Sequence, residues 1–248
     1  MTDTTAPTGR EFRIGPIFTR SWSIYTANFV AFTLVAIVIA LPHQFGGDAE
    51  TVGGAVRSFV AGIVGVILEF LGQAVILYGA FQAMRGRPVV IGDAVRRGFA
   101  RFLSIVGVSI LVSLGVFVGL ILFIIPGIIL ALRWSVALPA CVVENLGPIA
   151  AMRRSADLTK GHRWQIFGLF VLIIVVAMIA FGVIGALVGM GLLAAPETLG
   201  RLVLLGIVTV IITAIVTAYF NVVAAMIYHD LRVAKEGVGT EEIAAVFD

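Results

Sequence analysis

Four side chains stand in or beside long apolar runs that give them nothing polar to work with: Glu69, Gln73, Arg133 and Glu144. A carboxylate in such a run must find a cation, hold a proton or reach water, which makes Glu69 the sharpest candidate for chemistry. Gln73 follows one helical turn later on the same face. Counted inward along a helix from about Ser58, Glu69 lies roughly 16 Å deep, and Arg133 counted from Pro126 lies roughly 10 Å from the same side. A Glu69–Arg133 pair could clip two helices together, line a polar cavity, hold a lipid phosphate or couple to protons. The clip is the plainer reading, because transport usually needs more than one intramembrane acid. Glu144 and Asn145 close an apolar run, where capping or pairing with Arg153 or Arg154 is expected.

Other reactive types are scattered. His43, His162 and His229 are too far apart in sequence to suggest a metal site, and neither metal nor cofactor is expected. The single cysteine, Cys141, lies in an apolar run, so it reads as packing and cannot form an intrachain disulfide. The chain carries no HExxH, GxSxG, Walker A or paired-carboxylate motif, and it is not expected to be an enzyme.

The elements that position these residues follow from composition. The chain has 248 residues, 60% of them hydrophobic and 12% charged, with a mean hydropathy of +1.11. An ordinary soluble domain is about 45–50% apolar and about 25% charged. One core cannot bury this much apolar surface in water, so lipid is the solvent for most of the chain. The polar stretches between the apolar runs are too short for a folded catalytic domain. A net charge of +3 orients a membrane protein rather than binding nucleic acid, and no basic stripe interleaved with aromatics is present.

Charged residues punctuate the spans. Uncharged intervals run from Arg20 to Asp48, from Arg57 to Arg85 with Glu69 inside, from Arg101 to Arg133, from Arg163 to Glu197 and from Arg201 to Asp230. The third encloses 31 uncharged residues, about 46 Å as one straight helix against a hydrocarbon core of roughly 30 Å. A hairpin at Pro126-Gly127 resolves the excess, making 102–124 the third span and about 127–144 a short fourth. Basic residues support that choice. With six spans, Arg10, Arg13, Arg20, Arg85, Arg87, Arg96, Arg97, Arg101, Arg153, Arg154, Lys160, Arg163, Arg232 and Lys235 share one side, against Arg57 and Arg201 on the other. With five spans the two sides are nearly equal, so the positive-inside rule predicts six spans with both termini in the cytoplasm.

The expected fold is therefore all-α: a polytopic integral membrane protein with six transmembrane helices arranged as three hairpins and with amphipathic interfacial helices on the cytoplasmic face. Residues 1–10 read as a disordered tail, 11–235 as one membrane domain and 236–248 as a cytoplasmic tail; the first apolar run, to about Leu41, reads as an uncleaved signal anchor. Segments 14–21, 91–97 and 146–155 each combine an apolar residue, a glycine and arginines before a pair of spans. They suggest parallel repeats over 14–90, 91–145 and 146–235, each an interfacial helix plus a hairpin. Trp22, Tyr25, Phe99, Phe102, Trp164 and Phe167 read as an aromatic belt. Gly115-x-x-x-Gly119 and Gly185-x-x-x-Gly189 suit close helix contact.

Several local motifs carry a resemblance. They are Leu138-Pro139-Ala140 through Val143-Glu144, Ala151-Met152-Arg153-Arg154-Ser155, Leu158-Thr159-Lys160-Gly161 before Trp164, and Tyr228-His229-Asp230-Leu231-Arg232 with Glu236-Gly237. In these, and in span count over residues 12–237, the chain resembles the membrane domain found beside some bacterial glycerophosphoryl diester phosphodiesterases. The resemblance marks Arg154, Ser155, Gly161, Tyr228, Asp230 and Arg232 as family-motif residues and implies a bacterial inner-membrane module. In that family the phosphodiesterase chemistry belongs to a separate soluble domain, for which this chain has no room. The expected role is a non-enzymatic scaffold or lipid-interacting module linked to lipid or envelope metabolism. Its expected partners are membrane lipids with anionic headgroups, and a homo-oligomer or another membrane protein. A small-solute or lipid transporter using Glu69 and Arg133 is the alternative.

Overall fold

The computed structural model describes residues 12–42, 51–193 and 199–237. The expected tails before Glu11 and beyond Gly237, and His43, lie outside the described residues. Ten α-helices and no strand occur among the described residues: α1 (Ile14–Ala27), α2 (Phe29–Ala40), α3 (Val52–Met84), α4 (Ile91–Ala100), α5 (Phe102–Leu122), α6 (Ile124–Arg133), α7 (Ala137–Val143), α8 (Pro148–Thr159), α9 (Arg163–Leu193) and α10 (Leu199–Glu236). Long apolar helices with no room for a soluble core define an all-α polytopic membrane protein.

Five stretches are long and apolar enough to cross a bilayer, among them Ile124–Val143, which joins α6 and α7. A count of six is reached only when α1 and α2, bent by 85°, are taken as one broken span. By itself α2 is about 18 Å long, short of a roughly 30 Å hydrocarbon core. Asn28 makes the elbow: its Nδ2 donates to Ile24 O at 3.1 Å, and its backbone N–H reaches back to Tyr25 O at 3.2 Å. Such a side chain competes with the helical ladder and ends it. Across the elbow Tyr25 Oη and Thr33 Oγ1 lie 3.1 Å apart, tying the two arms. Tyr25 is therefore buried core rather than a belt residue, whereas Trp22, Phe99 and Trp164 are exposed as a belt requires.

The α5–α6 hairpin is present, but its turn falls at Phe123, three residues before the expected Pro126-Gly127. Phe123 is the single extended residue between the helices (φ −159°, ψ 141°). Pro126 sits inside the first turn of α6, where a missing N–H leaves no bond unmade, so proline starts this helix rather than breaking the chain. Gly127 serves close packing. A Cβ there would lie 2.7 Å from the Leu120 backbone nitrogen, and one at Gly119 would lie 3.0 Å from Gly127 Cα. Gly115 admits the Trp134 ring, which would come within 2.5 Å of an added Cβ. Gly185 and Gly189 have nothing within 4 Å of such an atom, so only the first glycine pair makes the expected close contact.

The segments expected as interfacial helices are helical: α1, α4 and α8 each precede an apolar stretch. At one end of the molecule α7, α8 and the C-terminal half of α10 pack together. Leu71 to Phe81 of α3 and Ala214 to Leu231 of α10 supply much of the core there, with Ile17, Phe32 and Ile166. Toward the opposite end, residues such as Phe59, Phe117, Ile179 and Ile207 are exposed. Their apolar surface suits acyl chains and would be costly in water.

Candidate functional site

The fourth span is broken in its middle, and the break is closed by one hydroxyl. Where α6 ends, the Arg133 carbonyl has no helical partner, and where α7 begins the Val136 amide has none either. Ser155 of α8 donates from Oγ to Arg133 O at 2.9 Å and accepts from Val136 N–H at 3.3 Å. Thr159, one turn along the same helix, donates to Arg133 O at 3.2 Å. Both side chains are fully buried, so α8 is wedged against the broken span and does not merely rest on the surface. Pro148 starts α8, and Gly161 ends its turn with φ +91°, a conformation that a residue with a Cβ adopts at a cost.

The residue before Ser155 in sequence, Arg154, enters a polar cluster at the junction of α7, α8 and α10. Its Nε lies 2.8 Å from both carboxylate oxygens of Glu144, and its Nη2 pairs with Glu236 Oε1. Tyr228 Oη donates to Glu144 Oε1 at 2.8 Å. Arg232 Nε donates to Glu236 Oε2 at 2.9 Å and lies 3.8 Å from Glu144 Oε1. Tyr228, Arg232 and Glu236 are spaced by four, so α10 presents them on one face. The four charged side chains are 13–27% exposed, which makes their mutual pairing worth more than that of a surface ion pair. Burial alone would lower the pKa of Arg154, but the hydrogen bonds and charges of Glu144 and Glu236 outweigh it and the pKa is raised.

Two further ties reinforce the same end. Arg20 Nη1 lies 3.9 Å from Asp230 Oδ1, linking α1 to α10, and His229 Nδ1 lies 3.0 Å from the same oxygen. Lys235 Nζ donates to the Asp157 carbonyl, linking α10 to α8. Two cations, two anions and a phenol that satisfy one another are chemically a clasp. Glu144, already accepting from Arg154 and Tyr228, is poorly placed as a base or nucleophile.

The remaining expected residues fall elsewhere. Glu69 Oε1 accepts from Gln73 Nε2 at 2.6 Å, and both are half-buried on α3. No ion pair joins Glu69 to Arg133 among the described residues; the Arg133 side chain is exposed, and it is its carbonyl that is held. Glu144 pairs with Arg154, as its position suggested. Glu236, expected to begin a tail, is instead the last residue of α10 and a member of the clasp. The four-residue spacing of Tyr228, Arg232 and Glu236 was the signal that could have found it. Sequence reasoning also missed a cleft of about 120 Å³ lined by Tyr78, Arg97, Arg101 and Asn145, whose members come from four separate segments.

Fold and clasp thus define a polytopic helical membrane domain whose recurrent motifs tie three helices together at one end. Residues 105–242 match the family described as the membrane domain of glycerophosphoryl diester phosphodiesterase, and the chain belongs to that family. No curated protein and no solved structure matches it.

Proposed function

We propose that this chain is a non-enzymatic, lipid-interacting module of a bacterial inner membrane, with both termini in the cytoplasm and anionic phospholipid as its principal partner. The observation that carries the reading is α4. It docks on α3 through the buried Ala94 and Gly98 and leaves Ile91, Val95 and Phe99 exposed along one stripe, with Arg96 beside it. That is the build of a helix lying in a headgroup layer with its apolar stripe among acyl chains. Each nearby cation adds about 1 kcal/mol of attraction to an anionic leaflet. The decisive experiment is native mass spectrometry of protein extracted in mild detergent: retained phosphatidylglycerol or cardiolipin is expected, and equal retention of zwitterionic lipid would count against the reading.

One observation favours a second reading. Glu69 lies near the middle of α3 with a neutral hydrogen-bond partner, and an intramembrane acid so placed is a common feature of transport pathways. Solute or lipid flux in proteoliposomes that disappears in Glu69→Gln would establish a transporter.

A further inference from the structure

We propose that the groove between the end of α2 and the first half of α3 is a binding site for an anionic phospholipid, with one acyl chain lying along α3 and the phosphate held by Arg57. The groove exists because the two helices differ in length. Ile39, near the end of α2, lies in the notch left by Gly72, where an added Cβ would come within 2.1 Å of its Cδ1. From Gly72 back to its start at Val52, α3 runs about 30 Å past that contact at 1.5 Å per residue. Gly53, Arg57, Ala61, Val64 and Leu68, spaced by three or four, form one wall along this stretch. Val38, Leu41 and Pro42 close it from the α2 side, and the groove holds about 650 Å³. Ligand pockets typically hold roughly 300–1,000 Å³.

The lining selects the occupant. Arg57 is the one charged side chain among the described residues that line the groove, and no other side chain there can donate or accept a hydrogen bond. An extended peptide or a polar solute would carry its own polar groups in without partners, at about 1–3 kcal/mol each. An acyl chain carries none. Leu68 lies roughly 16 Å further along α3 than Arg57, close to the half of a roughly 30 Å core that one leaflet fills. A phosphodiester at the guanidinium, with its chain running toward Leu68 and Leu41, therefore meets both ends of the groove. A planar guanidinium can give two parallel bonds to phosphate oxygens. The same lining offers no acid to an ammonium, which favours an anionic headgroup over a zwitterionic one.

Local structure fixes the cation and leaves the groove accessible. Thr51 Oγ1 accepts from Gly54 N–H at 3.0 Å and caps α3 less than two turns before Arg57. Val38, Val56, Val60 and Val64 are exposed, so a chain can enter from the side of α3 that faces lipid. The α4 helix meets α3 at Ala74, about 26 Å further along the helix than Arg57, so the groove is a second lipid contact and not an extension of the α4 stripe. The assignment deepens the lipid reading and rests on it. All the lining residues precede the family-matched residues, so the groove is built from the part of the chain that the family match does not cover.

The test is native mass spectrometry of delipidated full-length protein titrated in neutral detergent. The probes are phosphatidylglycerol, and phosphatidylethanolamine and diacylglycerol with the same chains. One phosphatidylglycerol should bind at least about tenfold more tightly than either of the others, the gain expected of about 1.4 kcal/mol in charged hydrogen bonds. Arg57→Gln should remove that preference, and Ala61→Phe, which fills the groove midway, should remove the tight lipid. Gly62→Phe puts the same ring on the next residue, which does not line the groove and has nothing within 4 Å of an added Cβ, and should bind as the parent does. An equal loss there would overturn the site in favour of general adhesion of lipid to α3. Should Ala61→Phe fold poorly, Gly53→Phe supplies the check, since Gly53 lines the groove and nothing lies within 4 Å of its added Cβ. If phosphatidylglycerol binds parent and groove variants alike, the groove falls and the lipid reading stands. If the groove variants lose every bound lipid, the groove stands and the α4 reading falls; if the parent binds no lipid, both fall. Equal affinity for all three lipids overturns the phosphate at Arg57. A dimer that Ala61→Phe splits with lipid binding intact would make the groove an interface between copies and overturn the assignment.

Discussion

Ser155 shows how one small side chain can settle a problem set by a whole span. A helix broken inside lipid leaves a carbonyl and an amide with no water to turn to, and its hydroxyl answers both. Ser155→Ala should therefore cost about 1 to 3 kcal/mol, the penalty for stranding a buried polar group, read as a lowered midpoint of unfolding in detergent. Thr159→Val should cost less, because Arg133 O keeps its bond from Ser155. The same reasoning reverses an expectation for Glu69 and Arg133. With Glu69 bonded to Gln73 and not to the arginine, Glu69→Gln and Arg133→Met should act additively on stability, and a double-mutant cycle that finds coupling above about 0.5 kcal/mol would contradict the structure. His162 gives a pH dependence. Burial, with repulsion from Lys235, lowers its pKa below that of a free histidine, so the unfolded chain binds the proton more readily than the folded one. Stability should then fall as pH drops below about 6.5 toward the lowered folded-state value and level off beneath it. His162→Gln should flatten that slope in melting curves taken from pH 5 to 7.5.

At the scale of elements, Gly127 and Gly185 separate what a glycine pattern can and cannot say. Both belong to apolar helices, yet only Gly127 lies where a Cβ would strike a neighbouring backbone. Gly127→Ala should push α5 and α6 apart and lower thermal stability, by about 1–3 kcal/mol if overpacking behaves as in other cores. Gly185→Ala should be neutral or slightly stabilising through helix propensity. Equal effects of the two would mean that the hairpin is looser than drawn. Sequence made the existence of this hairpin legible, because 31 uncharged residues overrun a bilayer. It misplaced the turn because Pro126-Gly127 looks like a breaker until the position of proline in the first helical turn is known. The elbow at Asn28 was hidden for a related reason. An asparagine amid apolar residues signals a buried polar group, but which carbonyl it takes depends on tertiary packing. The Arg154–Glu144 pair was readable from ten residues of separation, whereas the cleft was not, since Tyr78, Arg97 and Asn145 meet only once α3, α4 and α7 have packed.

For the molecule as a whole, one end is tied by the clasp, by Arg20–Asp230 and by Lys235 to Asp157, and the other end presents mostly apolar faces. The tied end carries Arg20, Arg154, Arg232 and Lys235, four of the residues that the charge count assigned to one side of the membrane. The charge count predicts which compartment that end meets. Arginine and lysine near short loops are retained in the cytoplasm during insertion, and the bias of fourteen to two is large enough that the clasp and the cleft should face inward. Single cysteines at Arg96, Asp157 and Val233, placed in a Cys141→Ala background, should react with a membrane-impermeant maleimide only in inverted vesicles or after permeabilisation. A cysteine at Phe123, in the hairpin turn on the opposite face, should react in intact spheroplasts. Labelling of position 157 from the periplasm alone would invert the orientation. Labelling of positions 96 and 157 from different sides would break the packed end itself, since the cleft lined by Arg97 and Asn145 joins α4 to the end of α7, against which α8 packs.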